Sequence, residues 1–177
     1  MIKNNSNLDT DRKVQFNNKL EITDQEFVSQ AKIDETMVVV NSLNFEQMDN
    51  KLIETYGWSE IEISLTNKTY KEWLVISACY PDVPLMPTIK LDEYWHMHIL
   101  DTKKYMIDCQ LLFGSYKHHY PYFGERDSDY SDKCFSLTKK LFEKHFNNSM
   151  SNGPGDCHTM PDCPASCGIH GCKANCS

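Results

Sequence analysis

The sequence predicts an all-α fold, a compact bundle of five or six helices followed by a cysteine-rich, irregular C-terminal tail. Helix start signals recur along the chain, and apolar residues follow most of them at helical spacing. No segment alternates apolar and polar residues for long enough to indicate a sheet. With 177 residues, of which 40% are hydrophobic, the chain can bury one core. We predict a helical domain at 22–147, a flexible N-terminal segment at 1–21 and the tail at 148–177.

The first two helices are predicted from a capping residue paired with an acid or amide three positions later. Thr23 with Glu26 is a capping-box pattern, which predicts a helix that runs to about residue 41. Its imperfect apolar stripe comprises Phe27, Ala31, Met37, Val38 and Val40. Asn44 with Gln47 repeats the start signal, and Gly57 predicts the end of the second helix. Its apolar positions are Phe45, Met48, Leu52 and Tyr56.

The third helix is predicted to begin at Ser59, which pairs with Glu62, and to end before Pro81. The β-branched residues at 63–66 could break it. One face of this helix carries Tyr70, Trp73, Leu74 and Ser77. The segment PDVPLMPTIK follows, and its three prolines predict a stiff extended connection.

The remaining three helices are predicted by caps and periodicity. One should begin near Ile89, the next should be capped by Asp101 or Thr102 and end at Gly114, and the last should run over about 128–146. The connection SYKHHYPYFGERDSD is predicted as an aromatic loop. The apolar face of the last helix comprises Tyr130, Cys134, Leu137, Leu141, Phe142 and His145.

Three further side chains on these helices have predicted surroundings. Cys79 and Cys134 are expected in the core, where a free cysteine behaves as a small hydrophobic residue. His145 is expected on the surface at a helix end, where its positive form would interact favourably with the helix dipole.

Charge and hydropathy limit the classes of partner. The formal net charge of -7 argues against general nucleic-acid binding, because the chain has no excess of Lys and Arg to neutralise phosphates. An anionic membrane surface is disfavoured for the same reason. The N-terminus carries no apolar signal-peptide core, and no apolar run approaches the roughly 18 residues that span a bilayer. These features predict a cytoplasmic protein.

The tail concentrates the metal-binding chemistry of the sequence. Five thiols and two imidazoles lie within its last 21 residues: Cys157, Cys163, Cys167, Cys172, Cys176, His158 and His170. The spacing matches no standard zinc finger, but thiolate and imidazole are preferred ligands of Zn(II) and Cu(I). In a reducing cytosol, clustered cysteines are more often metal or redox groups than structural disulfides. The sequence therefore predicts a metal-binding protein whose tail captures Zn(II) or Cu(I) on a helical scaffold.

Two other interpretations of the tail stay open. The helical domain could be recognised by a protein partner, with the tail processed or modified beyond the Ser-Asn-Gly-Pro-Gly joint at 151–155, as in precursors of modified peptides. The tail could also be a solvated segment that binds no ligand.

A second group of reactive side chains lies at 91–124, within the helical domain. The residues that carry a family resemblance here are Trp95, His96, His98, Asp101, Thr102, Tyr105 and Cys109. Over roughly 60–146, the chain resembles the glycine-rich domain-containing protein-like family, which has a Trp-His-x-His element. The resemblance implies no settled activity, and the glycine-rich region of the plant members is replaced here by the cysteine-rich tail.

Helical geometry separates the members of this group. His96 and His98 point to nearly opposite sides of a helix, about 200° apart, whereas Asp92 and His96 share a face. A carboxylate at that position could orient the imidazole, as in metal sites and catalytic histidines. The second candidate metal site comprises His96, His98, Cys109, His118 and His119. The competing interpretation is structural, with Trp95 packed in the core and the histidines hydrogen-bonded.

An enzyme centred on Asp92, His96, His98 and Cys109 is the third functional hypothesis. His96 with Cys109 could form a nucleophilic pair, but the sequence identifies no third group and no oxyanion donor. No phosphate-binding glycine pattern is present. The sequence therefore favours a binding protein over an enzyme.

Overall fold

A computed structural model describes residues 19–119, 128–147 and 150. The described residues form six α-helices and no strand, which confirms the all-α prediction. The helices are α1 (Gln30–Asn41), α2 (Glu46–Tyr56), α3 (Glu60–Cys79), α4 (Ile89–Leu100), α5 (Thr102–Phe113) and α6 (Ser128–Phe146). Among them, none has the length and apolar character needed to cross a membrane. The cysteine-rich tail and residues 1–18 lie outside the described residues.

Helix α3 is the central element, because it packs against each of the other five helices. It starts with the predicted capping box: Ser59 Oγ accepts from the Glu62 amide at 3.2 Å, and the Ser59 amide donates to Glu62 Oε2 at 2.9 Å. The β-branched residues do not interrupt it, since Ile63 and Thr66 are buried against the core. Tertiary packing thus outweighs their modest helix propensity.

The predicted start of the first helix is wrong, and its predicted apolar stripe is confirmed only in part. Thr23 and Glu26 do form a capping box, but it caps only the single 3₁₀ turn Asp24–Glu26. Helix α1 begins later, with the side chain of Ser29 accepting from the Lys32 amide. Its buried residues are Ile33 and Val40, whereas Val38 is 73% exposed. The earlier capping signal was strong enough to form a turn, but the residues after it do not continue the helix.

Most other predicted helix ends are confirmed. Gly57 and Gly114 end α2 and α5 with φ values of 72° and 68°, the left-handed conformation that glycine tolerates best. Asp101 caps α5 through its side chain, which accepts from the Lys104 amide at 3.3 Å. Asn44 Oδ1 accepts from the Glu46 amide at 2.8 Å, just ahead of α2.

Helix α6 has the predicted bounds, but His145 does not have the predicted surroundings. His145 is 7% exposed, and its Nε2 lies 2.6 Å from the Tyr80 hydroxyl. Phe27 packs edge-on against the imidazole from the segment before α1. The position at a helix end suggested exposure, whereas Tyr80 and Phe27 cover the ring. Cys134 is buried as predicted, and Cys79 is only half-buried.

Candidate metal centre

Helix α4 presents two chemically different faces. Thr88 fixes its start, because its side chain accepts from the Leu91 amide at 3.3 Å. The face toward α3 and α5 is buried and comprises Leu91, Tyr94, Trp95, Met97 and His98. Asp92 and His96 are one helical turn apart on the other side. The helix therefore places one carboxylate and one imidazole where solvent can reach them.

Asp92 and His96 form the first part of the site, as their spacing predicted. Asp92 Oδ2 lies 3.4 Å from His96 Nδ1, and the two side chains are 33% and 47% exposed. This exposure leaves the pair accessible to an ion from solvent.

The segment after α5 adds a second imidazole. His119 Nε2 lies 2.9 Å from Asp92 Oδ1, so the Asp92 carboxylate contacts two histidines through its two oxygens. The His119 side chain is only 12% exposed. Its ring lies 4.4 Å from the Trp95 ring and 4.5 Å from the His96 ring, measured between centroids. His119 is therefore held in place by packing as well as by its hydrogen bond.

Tyr105 positions the segment that carries His119. Its hydroxyl donates to the Lys117 carbonyl at 2.7 Å and accepts from Trp95 Nε1 at 3.0 Å. Burial raises the pKa of Tyr105, so the hydroxyl stays protonated and remains a donor at neutral pH. This chain of bonds fixes the backbone two residues ahead of His119 relative to α4.

The three side chains are spaced as metal ligands would be. One ligand atom from each of Asp92, His96 and His119 can be chosen so that all lie within 4.8 Å of one another. Around a tetrahedral zinc ion with bonds of about 2.0–2.1 Å, ligand atoms are roughly 3.3 Å apart. The observed separations from nitrogen to oxygen are 2.9 Å for His119 and 3.4 Å for His96, each to a different oxygen of Asp92. Coordination of one ion would require the three ligand atoms to move closer to a common point than the 4.8 Å within which they now lie.

His98 lies on the buried face of α4 and has a different set of partners. Its Nδ1 is 2.8 Å from the Tyr70 hydroxyl, and its Nε2 is 2.9 Å from Asp108 Oδ2. Burial alone would raise the pKa of Asp108, but hydrogen bonds from His98 and Lys104 hold that pKa below its ordinary value. Both ring nitrogens of His98 are used inside the core, so this residue is not positioned to share an ion with His96.

Cys109 and His118 also lie apart from the three-residue cluster. Cys109 is 1% exposed and contacts Tyr105 inside the bundle. His118 is exposed, with its ring 4.9 Å from that of Tyr116. The only group of three potential ligands in the described part of the chain contains neither of them.

Sequence reasoning paired Asp92 with His96 and placed His96 and His119 in one candidate metal site, but it left Asp92 out of that site and added His98, Cys109 and His118. The signal for Asp92 and His96 was their helical spacing, which needs no tertiary information. The approach of His119 depends on how the segment after α5 folds back on Trp95, and no sequence spacing encodes it. The seven cysteines and histidines of the tail lie outside the described residues.

Comparisons with models of protein families, with curated proteins and with solved structures found no match to this chain. The resemblance to the glycine-rich domain-containing protein-like family therefore stays a prediction.

Proposed function

We propose that this protein binds a divalent transition-metal ion through Asp92, His96 and His119 of its helical domain. The observation that carries this proposal is the convergence of one carboxylate and two imidazoles from two separate segments, with ligand atoms within 4.8 Å. Two contacts, one to each oxygen of the Asp92 carboxylate, hold both imidazoles beside it. Metal sites commonly combine such residues.

The ligand set favours a particular class of ion. Two nitrogens and one oxygen suit Zn(II) and the neighbouring divalent transition metals, whereas Cu(I) prefers sulfur. The described cluster contains no thiol, since Cys109 is buried elsewhere. We therefore expect Zn(II) to bind here, and three protein ligands leave a coordination position for water or another small ligand.

The tail remains a separate predicted site, with a different preference. Its five thiols and two histidines would capture Zn(II) or Cu(I), and the sulfur-rich composition supports the Cu(I) preference. In this proposal, the helical domain and the tail are two sites of one metal-binding protein. Recognition of the helical domain by a protein partner is a further prediction that the sequence permits.

The test measures zinc binding by the full chain after its five tail cysteines are replaced by serine. Isothermal titration at pH 7.5 should give one zinc ion per chain. His96→Ala and His119→Ala should each weaken that binding at least tenfold, because each removes one of the three ligands. His118→Ala is the matched control, since this neighbouring imidazole is exposed and outside the cluster.

The same variants separate the two proposed sites. In the chain that keeps its tail cysteines, the double change of His96 and His119 to alanine should leave the tail able to bind zinc or copper. If the serine-tailed chain binds no zinc, or if His118→Ala weakens binding as much as His96→Ala, the site in the helical domain is wrong.

A further inference from the structure

Helix α4 carries an exposed stripe that runs through the metal centre. Its members are Ile89, Glu93, His96 and Leu100, which follow one another at intervals of three or four residues and so lie on one side of the helix. The apolar side chains of Ile89 and Leu100 are at its two ends, and these residues are 59% and 66% exposed. Glu93 and His96 lie between them, with side chains that are 53% and 47% exposed. The stripe therefore has an apolar residue at each end and potential metal ligands in the middle.

The order of these residues is symmetric about the middle of the stripe. Positions 89 and 100 are equally far from its midpoint, and so are positions 93 and 96. If two copies of α4 pair antiparallel about a twofold axis at this midpoint, Ile89 of one copy meets Leu100 of the other. The same pairing places Glu93 of one copy opposite His96 of the other. Packed helix axes are about 8–10 Å apart, a separation that a glutamate side chain can bridge.

We propose that zinc held by Asp92, His96 and His119 joins two copies of this chain, with Glu93 of the second copy as the fourth ligand of each ion. The pairing rests on the proposed zinc binding and extends that function to a partner. Structural zinc sites are almost always four-coordinate, and the three ligands from one chain leave one position open. A glutamate carboxylate is a common zinc ligand, so Glu93 has the chemistry to fill that position.

The charges of the paired helices indicate that the contact needs the metal. Each copy brings the carboxylates of Asp92 and Glu93 to it, so four negative charges would repel one another in the absence of metal. Two zinc ions supply four positive charges, which balance them. Lys90 Nζ lies 3.6 Å from Glu93, but it is shared with Glu62 at 3.5 Å and offsets only part of the repulsion.

The apolar part of the contact is small, which also makes the pairing depend on zinc. Stable protein interfaces bury about 1,200–2,000 Å² in total, and the four side chains of Ile89 and Leu100 in two copies are a small part of such an area. They would fix the register of the helices, while coordination would supply most of the affinity. We therefore expect a monomer without metal and a dimer with zinc.

Sedimentation velocity tests the pairing in the full chain with its five tail cysteines replaced by serine. This chain should be a monomer in EDTA and a dimer with one equivalent of zinc. Glu93→Gln should weaken the dimer at least tenfold, because it removes the fourth ligand. Leu100→Glu should weaken it to a similar extent, because it places a charge in the apolar contact. Val38→Glu is the matched control, since Val38 is an exposed aliphatic residue on α1, and it should leave the dimer unchanged.

Isothermal titration of the same proteins separates the dimer from the zinc site itself. Leu100→Glu should still bind one zinc ion per chain, because the three ligands of its own copy are intact. Zinc binding by a chain that stays monomeric would overturn the dimer and leave the zinc site standing, whereas no zinc binding would overturn both. A dimer that persists in EDTA, or a zinc-dependent dimer that tolerates both Glu93→Gln and Leu100→Glu, would also overturn the proposed pairing.

Discussion

Two histidines that are two positions apart on α4 have opposite roles. His98 uses both ring nitrogens inside the core, toward Tyr70 and Asp108. His96 is 47% exposed and makes no hydrogen bond within the described residues, although Asp92 lies 3.4 Å away. The two residues belong to the same Trp-His-x-His element, so this element does not decide whether a histidine can bind a metal ion. The hydrogen-bond partners of each imidazole decide it. His98 is a structural group, and His96 is available as a ligand.

The largest effect should come from His98→Ala. This change leaves the Asp108 carboxylate buried without its imidazole and removes the bond to Tyr70, so the free energy of unfolding should fall by about 3 kcal/mol. Urea denaturation followed by circular dichroism measures it. His96→Ala should change the free energy of unfolding by less than about 0.5 kcal/mol. If His98→Ala and His96→Ala lost equal free energy of unfolding, the buried and exposed faces of α4 would not differ in the way described.

Zinc should stabilise the protein only through the exposed face of α4, which carries Asp92 and His96. With the tail cysteines replaced by serine, zinc at about 100 times its dissociation constant should raise the free energy of unfolding by about 2.7 kcal/mol. His96→Ala, which should weaken zinc binding at least tenfold, should cut this gain to about 1.4 kcal/mol or less at the same zinc concentration. Repeating the urea denaturation with and without zinc provides the measurement. An undiminished gain in His96→Ala would place the bound zinc elsewhere.

The sequence predicted helices better than it predicted which segments meet. Gly57, Gly114 and the Ser59–Glu62 pair act through local backbone geometry, so their helix ends were predicted correctly. The capping box at Thr23 is also local, yet it caps only a 3₁₀ turn, because the turn is not extended by the residues after it.

Contacts between distant segments account for the features that the sequence did not predict. His145 was predicted on the surface because it lies at a helix end, but Tyr80 is 65 residues away in the chain and covers it. His119 meets Asp92 across 27 residues, through a backbone held by Tyr105. Such encounters depend on the packing of the whole bundle, and helical periodicity carries no information about them.

Glu72 is a buried acid, but within the described residues it has no imidazole partner of the kind that His98 provides for Asp108. The residue is 5% exposed, and its Oε2 has no hydrogen-bond partner among the residues that the structure describes. Burial raises the pKa of Glu72, and the nearby Lys68 opposes that shift only in part. Because the folded-state pKa is raised, this group's contribution to stability is complete below the ordinary value of 4.5 and is lost as pH increases through the folded-state pKa.

Glu72→Met should therefore stabilise the protein at pH 7, by about 1 kcal/mol, because a buried charge is replaced by an apolar side chain of similar size. The gain should shrink as the pH approaches 4.5, where Glu72 is protonated in the native chain. Urea denaturation at several pH values measures both effects. Glu54→Met on α2 is the control, since Glu54 is exposed and should show little change. A loss of stability at pH 7 would mean that the Glu72 carboxylate is better paired than its contacts indicate.

The smallest effect should come from His145, which is buried like His98 but pairs with no carboxylate in the described part of the chain. Burial, with a smaller contribution from Lys144, lowers the pKa of His145. A histidine with a lowered folded-state pKa contributes stability above its ordinary value of 6.5, and this contribution is lost as pH falls through the folded-state pKa. Between pH 7.5 and 5.5, the native chain should therefore lose more stability than His145→Gln does. Urea denaturation at both pH values gives this difference, to which the other histidines contribute equally in the two proteins. Identical losses would show that the hydrogen bond between Tyr80 and His145 tolerates protonation, and that a buried imidazole here needs no acid partner.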